Sequence, residues 1–262
     1  MDYSKYEHLL IDVKDRIALV TINRPDKLNA TNARLHWELS KIWLDLAEDE
    51  DVRVIVITGA GRAFSAGGDF KVLEEGMGNP DVVAQLFKED RDIVHNMINI
   101  DKPIISAING HAVGAGCAVA LMADISIAGE SARIIDGHII LGVVAGDHAA
   151  LIWPLQVGMA KAKLYLMTGE PLEGKEAERI GLVSKVVPDD ELMTTAMGIA
   201  EKLAKGPAQA IQWTKQALNQ WLRQAAITSY DYSAALEMLG FMGPDVREGL
   251  AALKERRPAN FR

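Results

Sequence analysis

A single cysteine, Cys117, in a chain of 262 residues leaves no internal disulfide to form, and no Cys/His cluster has zinc-ligand spacing. Neither an oxidised scaffold nor a structural metal is therefore expected to hold the fold. Basic residues are also in deficit, with 28 Lys+Arg against 36 Asp+Glu and a formal net charge of -8. That balance argues against a protein whose main task is gripping nucleic acid or an anionic membrane, though a local basic pocket for an anionic ligand is still allowed. No run of about 18 uncharged apolar residues is present to span a membrane, and Met1 to Tyr6 lacks the apolar stretch of a signal peptide. A cytoplasmic soluble protein is the expectation. Two glycine signatures are missing as well: there is no Gly-Lys-Ser/Thr phosphate loop, and no G-x-G-x-x-G between a strand and a helix.

What is present reads as α/β. His8 to Asn23 carries apolar runs on either side of Lys14-Asp15-Arg16, the pattern of two short strands and a tight turn. Leu35, Leu39, Ile42, Trp43 and Leu46 recur at three- and four-residue spacing and predict a helix over 31–49. The β-branched run Val52 to Thr58 and its counterpart Pro103 to Gly110 predict buried, parallel strands, with helices over 81–99 and 116–124. Beyond about Asp189 the pattern is helical over 191–205, 207–242 and 245–256, the last with Asp245 and Glu248 spaced as a capping box. The expected division is an α/β core of residues 1–188 and a helical region of residues 189–262. Trp213, Leu218, Trp221, Ile227 and Leu239 exceed what a lone helix pair buries, so this region is expected to pack on the core or on a neighbouring subunit. Met159 and Met167 are read as core or subunit-contact packing.

Two glycine-rich turns follow the buried strands: Phe64-Ser65-Ala66-Gly67-Gly68-Asp69 and Asn109-Gly110-His111-Ala112-Val113-Gly114-Ala115-Gly116. The same residues would serve plain tight turns. If the N–H groups of Gly68 and Ala115 converge, they form an oxyanion hole, in which one donor is worth ~3 kcal/mol of barrier. Asp69 is read as holding its turn, His111 as a packing or pocket-lining residue, and Cys117 as a small buried hydrophobe. A low-pKa thiolate at the helix start is the weaker reading of Cys117.

These turns, together with Arg24-Pro25-Asp26-Lys27-Leu28-Asn29-Ala30 and the stretch from Arg247-Glu248-Gly249 to Phe261, resemble the crotonase superfamily, the enoyl-CoA hydratase/isomerase family, over essentially the whole chain. The resemblance implies a crotonase (ClpP-like) spiral of ββα units with a C-terminal helical trimerisation region, assembled as a homotrimer or a hexamer built from two trimers. It implies an acyl-CoA substrate whose enolate is held by Gly68 and Ala115. Coenzyme A then enters as part of the substrate, and no separate cofactor is expected. Ala115 stands where the family usually has glycine, but a backbone donor does not require glycine. Lys27, Ala30, Ala66 and Lys71 fall where family members contact CoA. Phe241 and Arg262 match positions that complete that site from a neighbouring subunit.

The catalytic positions depart from the hydratase pattern. Where the resemblance calls for two glutamates around a water, this chain has Ala118 and His138, so hydration by that route should be absent or very slow. Asp136-Gly137-His138 and Gly146-Asp147-His148, leading into Trp153-Pro154, are similar instead to the carbon–carbon hydrolase branch typified by oxocamphor hydrolase. That similarity implies His138 and Asp147 as an acid/base pair, with His148 second to them. The Arg24-Pro25 and Asn29-Ala30 signature, which that branch lacks, points to a CoA thioester. Three expectations follow: a CoA-thioester enzyme working through an enolate, a retro-Claisen hydrolase of a 1,3-diketone or β-keto substrate, or a catalytically silent scaffold.

Overall fold

A computed structural model describes residues 1–261; Arg262 lies outside the described residues. The chain opens with a hairpin of β1 (Leu9–Lys14) and β2 (Ile17–Ile22), turned by Asp15 and Arg16 at φ 51° and 66°. Two successive left-handed residues give the turn a twist that matches that of the strands. From there each turn of the chain lays one strand in a large sheet and one in a small sheet. β3 (Val54–Gly59) is followed by β4 (Ala63–Ser65), β5 (Ile104–Ile108) by β6 (His111–Val113), and β7 (Ile125–Gly129) by β8 (Arg133–Ile135). β9 (Leu172–Glu173) and β10 (Lys185–Val187) close the series. The large sheet runs β1-β2-β3-β5-β7-β10 and is parallel apart from the hairpin; the small sheet runs β4-β6-β8-β9. This is the expected spiral, and its parallel strands are apolar because both faces are covered.

One face of the large sheet packs against α1 (Ala33–Glu48) and α3 (Pro80–Asn99), with Trp43, Ile55, Ile57 and Val94 in the shared core. The other face is covered by α8 (Leu192–Ala204), whose Ala196, Ala200 and Ala204 let its backbone come close to Val54, Val56 and Ile105. Between the strands lie α2 (Phe70–Gly76), α4 (Ala115–Leu121), α5 (His138–Leu141), α6 (Ala149–Thr168) and α7 (Gly174–Ile180). α6 is broken at Gly158, which adopts φ 76° and ψ 157°.

The helix read over 207–242 is continuous but not uniform. It comprises α9 (Ala208–Ala225), a π-helical turn over Ala226–Tyr230 and α10 (Asp231–Phe241), and α11 (Asp245–Glu255) follows. One sequence expectation is corrected here: the capping box at Asp245 does not form, because Glu248 pairs with Arg257 and accepts from the Asn260 N–H. Of the two places expected for Met159, Met167, Trp213, Leu218, Trp221, Ile227 and Leu239, the core of this chain is not the one taken, since all seven are exposed.

α9 is fastened to the sheet by an ion pair between the buried Lys215 and the partly exposed Asp124. Lys215 Nζ lies 2.8 Å from Asp124 Oδ2 and donates to the Lys102 carbonyl at 2.9 Å, while Asp124 Oδ2 also accepts the Ile104 N–H at 2.7 Å. Burial pulls the Lys215 pKa down against the pull of Asp124 upward. Lys215→Met removes the partner of an aspartate that still reaches solvent, and is expected to cost about 1–2 kcal/mol. Adding Asp124→Asn should recover part of that loss. Urea midpoints of the single and double variants check this, and a double variant less stable than Lys215→Met would refute the pairing argument.

Candidate active site

The two glycine turns meet at a cavity of about 400 Å³. Gly67 holds φ 87°, a left-handed conformation open mainly to glycine. A Cβ on Gly116 would come within 2.6 Å of the Ser65 Cβ, so the two turns can touch only with glycine there. Asp69 fixes the first turn: it caps α2 by accepting the Lys71 N–H at 3.2 Å, and it pairs with Arg24 at 3.2 Å. The hydrogen bonds flanking Gly68 run from the Thr31 N–H to the Gly67 carbonyl and from the Asp69 N–H to the Thr31 carbonyl, so neither uses the Gly68 N–H. Ala115 is the first residue of α4, where a backbone N–H has no partner within the helix. Both residues line the cavity, as do Ala66, His138, Asp147 and Phe241.

Opposite the glycine turns, three carboxylates surround one imidazole. His138 Nδ1 is 3.1 Å from Asp136 Oδ1, and Nε2 is 3.4 Å from Glu237 Oε1 and 3.7 Å from Asp147 Oδ2. Burial works against the charged ring, but Asp136, Asp147 and Glu237 together outweigh it and hold the His138 pKa well above the ordinary histidine value. The structure adds Asp136, the nearest carboxylate, and Glu237 to the His138–Asp147 pair read from the sequence. Burial raises the Glu237 pKa, with His138 opposing. For Asp147 burial is outweighed by His148 and His138, which keep its carboxyl below the usual range. Asp136, His138 and Asp147 also present ligand atoms within 4.8 Å of one another, a spacing a divalent cation could bridge. The His138 proton answers the same negative charge, so cation and proton would compete.

Other expected residues fall elsewhere. His148 is fully buried behind Asp147, with Nδ1 2.7 Å from Oδ1, and does not line the cavity. It can position Asp147 but not touch a substrate. Lys27, Ala30 and Lys71 are outside the cavity lining, with Lys27 and Lys71 exposed. Phe241 lines the cavity of its own chain, packed with Val83 and Leu141, because α10 folds back over α3. His111 is exposed on β6, outside the cavity lining. Cys117 is buried, its Sγ donates to the Ala112 carbonyl at 2.8 Å, and burial pushes its pKa well up, so it is no thiolate.

Two cavity carboxyls were not singled out from the sequence. Glu237 shares the buried face of α10 with Ser233 and Phe241 at four-residue spacing. Asp90 stands three and four residues before Ile93 and Val94, on the buried stripe of α3. In each case a charged residue in step with an apolar stripe was the available signal. Asp90 Oδ2 accepts from the Tyr230 hydroxyl at 2.6 Å.

The geometry can be set beside known proteins. The family model for enoyl-CoA hydratase/isomerase matches residues 12–262. The chain belongs to the enoyl-CoA hydratase/isomerase family. It is an enzyme-family match over nearly the whole length, and a "Probable enoyl-CoA hydratase" of Rhizobium meliloti is 37% identical over 257 residues, covering 98% of each chain. Among solved structures, an enoyl-CoA hydratase/isomerase from Mycobacterium paratuberculosis superposes with TM-score 0.90 at 37% identity, covering 93% of this chain and 97% of the other. A beta-diketone hydrolase from the cyanobacterium Anabaena, bound to (S)-3-oxocyclohexyl acetic acid, superposes with TM-score 0.85 at 31% identity, covering 94% and 97%.

Asp90 supplies a pH test of this environment. Burial and the nearby charges of Asp147 and Glu237 push its pKa up to about 7 from 3.8. Between those values the folded chain keeps a proton that the unfolded chain has lost, so this group makes the protein less stable as pH rises through that window. Asp90→Asn should escape the loss, gaining on the unsubstituted protein by up to about 4 kcal/mol between pH 4 and pH 8. Denaturation series across that range check it; parallel profiles for the two proteins would refute it.

Proposed function

We propose that this enzyme hydrolyses a carbon–carbon bond in a β-dicarbonyl substrate, a retro-Claisen reaction. The observation that carries the reading is His138, with carboxylates at both ring nitrogens, lining a cavity that Gly68 and Ala115 line as well. The beta-diketone hydrolase among the similar structures supports it, as do Ala118 and His138 at the positions that the family resemblance assigns to the hydratase glutamates.

Asp136 keeps the proton on Nδ1. Glu237, its proton affinity raised by burial, takes the Nε2 proton and leaves that nitrogen free as a base, while the Asp147 carboxylate stabilises the imidazolium that re-forms. Nε2 then removes a proton from water, and hydroxide adds to one carbonyl carbon. The bond to the central carbon breaks, and its electron pair becomes an enolate whose oxygen accepts from the Gly68 and Ala115 N–H groups. Return of the proton from His138 to that carbon yields a carboxylic acid and a ketone or shorter acyl group.

A second reading differs in the substrate carrier. The Arg24 to Ala30 turn and the exposed Lys27 and Lys71 favour a CoA thioester, with the phosphates outside the cavity. Such an enzyme would be expected in the cytoplasm as a homotrimer or hexamer, the assembly that would cover the outward apolar residues of the helical region.

Cyclohexane-1,3-dione, acetoacetyl-CoA and crotonyl-CoA separate these readings. Cleavage of the dione or of acetoacetyl-CoA, without hydration of crotonyl-CoA, is the expected result, and which of the two is cleaved names the carrier. His138→Ala should lower kcat/KM by about 10²–10⁴. Hydration of crotonyl-CoA at a rate unaffected by that substitution would overturn the proposal, and turnover of none of the three would leave a silent scaffold.

A further inference from the structure

The cavity contains a second set of polar groups that the reaction above does not use. His36 on α1 and Asp90 on α3 both line it, each held from behind by a partner. His36 Nδ1 lies 2.6 Å from Glu89 Oε2, and the other oxygen of Glu89 accepts from the Gln85 amide, so that carboxylate is fully engaged. Asp90 Oδ2 is engaged by the Tyr230 hydroxyl. Two atoms are left over. Among the described residues, neither His36 Nε2 nor Asp90 Oδ1 has a hydrogen-bond partner, and neither is sealed from the cavity as Glu237 Oε2 is.

The wall around them is apolar, with Leu73, Leu86, Met238 and Phe241 among its residues. Polar atoms facing such a wall are costly unless something meets them. Anchoring α3 to the helical region accounts for the Tyr230 bond but not for the outward atoms. We propose that His36 Nε2 and Asp90 Oδ1 form a subsite that binds a hydroxyl group carried by the substrate away from its reacting carbonyl.

The donor inventory selects the hydroxyl. The Glu89 oxygen 2.6 Å from Nδ1 favours the ring proton there and leaves Nε2 an acceptor, while burial, which pushes the Asp90 pKa up to about 7, favours a proton that Oδ1 can donate. A hydroxyl satisfies both atoms at once. A ketone offers only acceptors and an ammonium only donors, so each would leave one atom unmet. A methylene would leave both unmet, which is the arrangement that discriminates most strongly between otherwise similar substrates.

This inference rests on the proposed function only in placing the substrate in this cavity, and its test does not require turnover. In a His138→Ala background, calorimetry compares cyclohexane-1,3-dione with 5-hydroxycyclohexane-1,3-dione, and butanoyl-CoA with 4-hydroxybutanoyl-CoA. In the pair that binds, the hydroxylated member should bind on the order of tenfold to a hundredfold more tightly. Adding Asp90→Leu should abolish that preference while leaving affinity for the unsubstituted member within about twofold, and Asp90→Asn should retain part of it. Should Asp90→Leu fail to fold, His36→Leu reads the other half of the subsite. Equal affinity within both pairs, or a preference that survives Asp90→Leu, would overturn the assignment. Absence of carbon–carbon cleavage with the preference intact would overturn the reaction and leave the subsite standing.

Discussion

Much of this structure is organised around the electrostatic problem of putting Asp90, Asp136, Asp147 and Glu237 near one cavity. Two like charges about 4 Å apart repel by about 4 kcal/mol at an effective dielectric near 20, which is roughly three pKa units. A cluster of this kind is tolerable only if it retains protons and cations. It does both. The carboxylates around them raise the proton affinity of His138 and His148, the two histidines lower that of Asp147, and burial raises that of Asp90 and Glu237 above that of free carboxyls. The spread is the useful result, because groups with displaced proton affinities can exchange protons near neutral pH.

Each member of the cluster comes from a different part of the spiral. Asp136 follows β8, His138 opens α5, Asp147 precedes α6, and Glu237 lies on α10. Their registry depends on one close approach: Gly146 lies so near the Ser233 carbonyl that a Cβ there would sit 2.2 Å from it, and the Ser233 hydroxyl donates back to the Gly146 carbonyl at 2.7 Å. The loop that carries Asp147 is thus pinned to the helix that carries Glu237. A second close approach, Gly249 of α11 against the Leu141 carbonyl, fixes the end of α5 behind His138. The helical region is therefore part of the site and not an appendage to it.

The α/β frame was legible in the sequence because its signals are local. The β-branched runs of β3 and β5, the polar turn at Asp15-Arg16 and the three-and-four spacing in α1 each act within a few residues. Gly68, Ala115 and His138 were legible because glycine turns and a histidine beside an aspartate state their chemistry in one short segment. Glu237 and Asp90 were not, since the meeting of α3, α5 and α10 is set by packing between segments 50 to 150 residues apart. The place of Phe241 in the cavity of its own chain was not legible for the same reason: nothing in its neighbourhood says which body α10 folds against. The outward Trp213 and Trp221 show how far such a signal reaches, since a helical stripe announces that a face will be covered but not by what.

The division of the cavity follows from the way the two layers were built. The glycine turns and His138 come from the spiral, whose strand ends and short turns allow little variation without breaking the contact between Ser65 and Gly116. The opposing wall is made by α1, α2, α3 and α10, where side chains project into open space and can be exchanged without moving a strand. Backbone donors can stabilise an enolate oxygen whatever acyl group carries it, whereas a side chain such as Asp90 or Leu86 selects by size and hydrogen bonding. One frame can thus retain its oxyanion geometry while the helical wall sets what enters and the His138 cluster sets what happens to it. In this chain the wall brings both Glu237 and Asp90 to the cavity, and the charge of one acts on the other, so on the proposed reading α3 and α10 would couple recognition to proton transfer.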